Sequence, residues 1–93
     1  MLEKQIERRF CNRIRDSGGL SWKFTSPGHA GVPDRIVLFP QGRICFVELK
    51  RPGGRPRPLQ EKMHKKLRYM GFPVYVVSTY DDVEDLLAEL LTD

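Results

Sequence analysis

Leu2, Ile6, Phe10 and Ile14 recur every four residues until Gly18-Gly19 interrupts them. This spacing predicts an amphipathic helix of roughly four turns. Leu20, Trp22 and Phe24 then alternate with Ser21, Lys23 and Thr25, the period of a strand. Ser26 to Pro33 holds two prolines and two glycines and reads as a loop. Arg35–Phe39 and Ile44–Leu49 are short β-branched and aromatic runs separated by Pro40-Gln41-Gly42. Proline suits the first central position of a type I turn and glycine the left-handed residue after it, so the two runs form a hairpin with a three-residue loop. Arg51 to Pro58, with two glycines and three prolines, is a stiff loop. Leu59, Met63, Leu67 and Met70 mark a second helix that stops at Gly71, and Val74–Val77 is a buried strand. Thr79 can cap a last helix with Asp81 and Asp82 in its first turn and Val83, Leu86, Leu87, Leu90 and Leu91 on its apolar face. The predicted order is αβββαβα, an α/β domain with one mixed sheet.

At 93 residues and 10.8 kDa the chain is expected to form a single domain, 1–93. With 40% hydrophobic and 30% charged residues it can bury a core, which argues against disorder. No apolar run approaches the ~18 residues of a membrane span, and the first residues lack an apolar signal core, so a cytoplasmic location is expected. Cys11 and Cys45 have no metal-ligand spacing and sit inside apolar patterns, as reduced core thiols would. The net charge of +4 is unevenly distributed. All 16 Lys and Arg lie in residues 1–70, whereas Asp81, Asp82, Glu84, Asp85, Glu89 and Asp93 make residues 71–93 purely acidic. A basic body with an acidic tail suggests a polyanion partner, with one face kept away from it.

The hairpin brings chemistry together. A loop of residues 40–42 pairs Phe39 with Arg43, and the same register carried down the strands sets Asp34 opposite Glu48. Directly opposed side chains share a face, with Cβ atoms ~4.5–5.5 Å apart. Two carboxylates there repel unless a cation lies between them or one is protonated. Lys50, two residues after Glu48, points to the same face. Hard oxygen ligands of this kind suit Mg²⁺ or Mn²⁺. On a helical wheel Glu3 and Glu7 fall inside the apolar arc of the first helix, as does Arg13 at its other end. A carboxylate inside a buried arc needs a partner, although the exposed N-terminal end of the helix could accommodate Glu3 through the dipole alone.

Val32-Pro33-Asp34 followed by Glu48-Leu49-Lys50 resembles the Pro-Asp…(Asp/Glu)-x-Lys motif of the PD-(D/E)xK nucleases. With Gly31-Val32-Pro33-Asp34-Arg35, Phe46 to Gly54, Pro58-Leu59-Gln60 and Gly71 to Val76, the chain more closely resembles the virus-type replication-repair nuclease (VRR-NUC) domain, from about Glu3 to about Glu89. The resemblance implies a restriction-endonuclease-like core, αβββαβ plus a C-terminal helix. It implies that Asp34, Glu48 and the Leu49 carbonyl bind a divalent metal, with Glu7 as the helix-one glutamate and Glu3 as runner-up. Lys50 would orient the attacking water and stabilise developing charge, and Gln60 would hold Lys50, the water or the phosphate. It implies a structure-specific DNA endonuclease that pairs as a homodimer, and a two-fold axis would match the near two-fold symmetry of branched DNA such as a four-way (Holliday) junction.

The basic segment agrees with that expectation. Arg35, Arg51, Arg55, Arg57, Lys62, Lys65 and Lys66 are the expected DNA contacts, although the three lysines also fit an ordinary solvated helix face. Trp22, Phe24, Phe39 and Phe46 are expected in the core. His29 and His64 have no carboxylate partner visible in sequence, so structural or phosphate-contacting roles are favoured over general base. The first and last helices offer more apolar residues than one thin sheet needs, which suggests that they build the dimer. The competing readings are a catalytically silent DNA-binding module on the same fold and a dimeric scaffold for a protein partner. An intact Asp34, Glu48 and Lys50 argue against the first.

Overall fold

Ile6, Phe10 and Ile14, the apolar stripe predicted for the first helix, are all fully buried, and the fold is organised around where they go. The computed structural model describes residues 2–92. Helix α1 (Glu3–Asp16) is followed by strands β1 (Leu20–Lys23), β2 (Arg35–Phe39) and β3 (Arg43–Leu49), helix α2 (Pro58–Tyr69), strand β4 (Val74–Val77) and helix α3 (Tyr80–Leu90). The four strands form one sheet in the order β1-β2-β3-β4. The first three are antiparallel, and β4 lies parallel to β3 because α2 carries the chain back across. This is the mixed α/β architecture and element order read from the sequence.

Helices α1 and α3 cover one face of the sheet. Ile6, Phe10 and Ile14 meet Val37, Val47, Leu49 and Val77 from the strands and Val83, Leu86 and Leu87 from α3 in one core. Arg13, inside the apolar arc of α1, bonds Glu84 of α3 in a bidentate pair at 2.8 and 3.0 Å. A planar guanidinium matched to a carboxylate lets a charge stand at a helix seam. Thr79 caps α3 as predicted, its hydroxyl accepting from the Asp82 amide at 3.0 Å.

Four details depart from the sequence reading. The hairpin loop has the predicted length and pairs Phe39 with Arg43, but Gln41 (φ 72°) is left-handed as well as Gly42 (φ 76°). Helix α2 does not bury its apolar stripe: Leu59 and Met70 are 52% and 69% exposed, and its buried residue is His64. The helix crosses beside β4 with its Gln60–His64 face turned inward, so the polar face sets its rotation. Trp22, expected in the core, is 55% exposed, because β1 is an edge strand whose outer face no helix covers. Finally, of the apolar residues that the first and last helices offered for a dimer, Ile6, Phe10, Ile14, Leu86 and Leu87 are buried within the chain, and Leu2 and Leu91 at the helix ends stay exposed. The open apolar surface is on the opposite sheet face, where Leu20, Trp22 and Ile44 are exposed beside half-buried Ile36 and Leu38.

Cys11 and Cys45 are free thiols, half-buried and buried respectively. Burial, helped by nearby Glu89, pushes the Cys45 thiol up to about 12. Among the described residues no helix is long and apolar enough to cross a membrane.

Candidate active site

At the open end of the β2–β3 hairpin the backbone holds two carboxylates by different means. Arg35 pairs with Val47, so Asp34 continues the register against Glu48. The Asp34 carbonyl accepts from the Phe24 amide at 2.8 Å and its Oδ2 from the Leu49 amide at 2.9 Å. Asp34 therefore bridges the ends of β1 and β3 while remaining exposed. The approach of the preceding loop depends on Gly31, whose φ is +87°. A Cβ there would lie 2.7 Å from the Leu59 carbonyl oxygen, so only glycine lets the loop touch the start of α2.

Glu48 is the opposite case: 1% exposed and surrounded by side chains. Its Oε2 accepts from the Gln60 amide at 3.0 Å and lies 3.3 Å from the Lys50 ammonium. Gln60 stands in the first turn of α2, and its Oε1 accepts from the Arg57 backbone amide at 2.8 Å. Because a backbone N–H can only donate, the Gln60 oxygen must face Arg57 and its NH₂ must face Glu48. The Lys50 side chain is only 18% exposed, and its backbone amide is tied to the Val77 carbonyl at 2.9 Å.

The second oxygen of Glu48 faces His64, which is also 1% exposed, at 3.8 Å from Nε2. Among the described residues, Glu48 Oε1, His64 Nε2 and Arg35 Nε are the buried side-chain polar atoms with no hydrogen bond. Burial, then the neighbouring Asp34, pushes the Glu48 carboxyl up to about 7 against the opposing pull of Lys50. Burial and then Arg68 hold the His64 imidazole below its usual value.

A cleft of about 280 Å³ opens beside this pair, lined by Glu3, Glu7, Lys23, Phe24, Thr25, Asp34 and Leu49. Glu7 and Glu3 thus both reach the wall that Asp34 shares. Glu7 Oε2 lies 3.4 Å from the Arg35 guanidinium, which supplies the partner that a carboxylate in the apolar arc requires. Arg35, expected among the DNA contacts, is instead turned inward: it is 8% exposed and bonds the Ser21 carbonyl and hydroxyl at 3.3 and 3.4 Å. Arg51, Arg55 and Arg57 on the loop after Lys50, and Lys62, Lys65 and Lys66 on α2, are all exposed.

The sequence reading did not connect His64 to the carboxylates, nor did it single out Lys23. Both were within reach of periodicity. His64 is one helical turn after Gln60, and Lys23 shares the Ser21–Thr25 side of β1.

The donors suit a hard divalent cation. Among the described residues no three His, Cys, Asp or Glu side chains form a ready cage. Mg²⁺, however, retains several waters and is held by one or two carboxylates together with substrate phosphates. Two adjoining carboxylates, one with a buried unpartnered oxygen and a raised pKa, are the arrangement that such a cation would relieve.

The comparisons with known proteins bear on the family. The VRR-NUC domain model matches residues 2–80. The protein named "Putative nuclease p44" of Acyrthosiphon pisum secondary endosymbiont phage 1 is 44% identical over 79 residues, 85% of each chain. A solved structure of a VRR_NUC domain superposes with a TM-score of 0.86 at 33% identity, covering 92% of this chain and 94% of that one.

Proposed function

From the premise that the chain belongs to the VRR-NUC domain family, a nuclease family, we propose that it is a Mg²⁺- or Mn²⁺-dependent endonuclease that hydrolyses phosphodiester bonds in branched DNA, four-way junctions included. The observation that carries this reading is the placement of Asp34, Glu48 and Lys50 together at one end of the hairpin. Asp34 and Glu48, with the Leu49 carbonyl, would hold the cation, and Glu7 or Glu3 would approach from the far wall of the cleft. When bound, such an ion would polarise a phosphoryl oxygen and lower the pKa of a coordinated water towards neutrality.

The remaining work falls to the chain's own groups. Lys50 sets a fixed positive charge beside the carboxylates, where the phosphoryl oxygens gather negative charge during attack, and it orients the attacking water. Gln60 keeps Glu48 from rotating away by joining it to the first turn of α2. Arg51, Arg55 and Arg57 follow Lys50 directly and would grip phosphates flanking the scissile bond, with Lys62, Lys65 and Lys66 extending the basic surface.

The active assembly in this reading is a homodimer, built across the open sheet face rather than through α1 and α3. Leu20, Trp22, Ile36, Leu38 and Ile44 carry no charge. A two-fold axis sets a patch against its own copy, so an uncharged apolar patch is self-complementary where a charged one would repel itself. Two copies would present two sites to the near two-fold symmetry of a four-way junction.

The decisive experiment incubates the purified protein with Mg²⁺ or Mn²⁺ and duplex, flap, fork and four-way-junction DNA. Cleavage of branched substrates is expected, lost in Asp34→Ala while DNA binding in Ca²⁺ persists. Wild-type cleavage by Asp34→Ala would sink the enzyme reading. Sedimentation of wild type and Trp22→Glu tests the assembly: a dimer and a monomer are expected, and a wild-type monomer even with junction DNA rejects it.

A further inference from the structure

Glu48 has two oxygens in unequal surroundings. Oε2 takes both the Gln60 amide and the Lys50 ammonium, whereas Oε1 is buried without a hydrogen bond and lies 3.8 Å from His64 Nε2, which is equally without one. That separation is too long for a hydrogen bond, yet a shift of less than about 1 Å in either side chain would make one. Two facing unpartnered buried polar atoms lower stability, and an apolar side chain at position 64 would remove one of them. Helix α2 does not lack apolar residues, but it turns Leu59 and Met70 to solvent and gives its one buried position to His64. Packing therefore does not account for a histidine here.

We propose that His64 is a positioning residue for Glu48: its Nε2–H donates to Oε1 and holds the carboxylate in the orientation that sets it beside Asp34. Three groups then hold Glu48, Lys50 from just beyond its own strand and Gln60 and His64 from one face of α2, so a rigid helix fixes the carboxylate from behind. His64 touches no substrate and acts only through Glu48. The inference rests on the reading of Asp34 and Glu48 as metal ligands.

The test uses the full chain, with Mn²⁺ alone as the binding probe. In His64→Leu, which fills the space without a donor, Mn²⁺ affinity measured by calorimetry is expected to fall by roughly 10–100-fold. The single-turnover cleavage rate should fall alongside it, while the thermal midpoint and the DNA affinity in Ca²⁺ hold. His64→Gln, which keeps a donor, should recover most of both losses. A folded His64→Leu protein with wild-type Mn²⁺ affinity and rate overturns the proposal, as does a His64→Gln protein no better than His64→Leu. The wild type supplies an arm that needs no variant: ¹⁵N resonances of the histidine ring should place the proton on Nε2, and a proton on Nδ1 alone refutes the assignment. A wild-type protein that binds no Mn²⁺ and cuts no DNA removes the metal-site reading itself, and this inference with it.

Discussion

The two faces of the sheet are built on opposite principles. Against α1 and α3 the strands present Val37, Val47, Leu49 and Val77 to Ile6, Phe10, Ile14, Val83, Leu86 and Leu87, a dry seam of matched apolar side chains. Against α2 the same strand β3 presents Glu48, buried among Lys50, Gln60 and His64 with polar atoms left unpartnered. Since alternate residues of one strand point to opposite faces, Val47 and Glu48 are one residue apart and belong to different environments. The lesson is a division of labour within a single sheet: stability comes from one face, and the other carries a charge arrangement that stability alone would not select.

Glu48→Gln should separate the faces most sharply. Cleavage should fall below detection, yet the metal-free variant should be at least as stable as wild type, because the amide removes a buried charge. A large drop in its thermal midpoint would show that Glu48 is structural. Phe10→Ala makes the converse cut. It should cost about 3–5 kcal/mol of stability in denaturant titration, while the cleavage rate of the molecules that remain folded stays near wild type. A smaller effect follows from the raised Glu48 carboxyl. With its folded value near 7 against an ordinary 4.5, the folded protein holds a proton that the unfolded chain has released. In EDTA the associated stability should be fully present below about pH 4.5 and should decline as pH rises towards 7. That decline should be absent in Glu48→Gln, and an identical pH profile in both proteins would contradict the burial argument. The smallest test stays on the structural face: Thr79→Ala removes the α3 cap and should cost ~1 kcal/mol with no effect on cleavage.

The part of the site that lies within the hairpin was legible because few variables determine it. A three-residue loop fixes the register, the register fixes the pairing of Asp34 with Glu48, and the strand period fixes Lys50. The αβββαβα order was legible for the same reason, since each element carried its own periodicity and stop signal. What the sequence did not disclose depended on rotation and depth. The apolar residues of α2 suggested the wrong inward face, because a polar network anchored at Gln60 outweighed Leu59 and Met70. Arg35 read as a DNA contact because nothing local indicates that Ser21 and Glu7 will close over it. Trp22 read as core because alternation identifies a face without saying whether anything covers it.

The hairpin has one more consequence, which concerns change rather than chemistry. Both carboxylates and the ammonium lie within residues 34–50, so the hairpin alone sets their backbone positions, while α2 orients the Glu48 side chain. The entropy of closing a flexible loop grows only slowly with its length. The segments on either side, 25–33 and 51–57, can therefore lengthen at modest thermodynamic cost, provided that Gly31 keeps its approach to Leu59 and Arg57 its contact with Gln60. The length of what surrounds the trio is open to variation, while the backbone that carries it comes as one contiguous piece of chain.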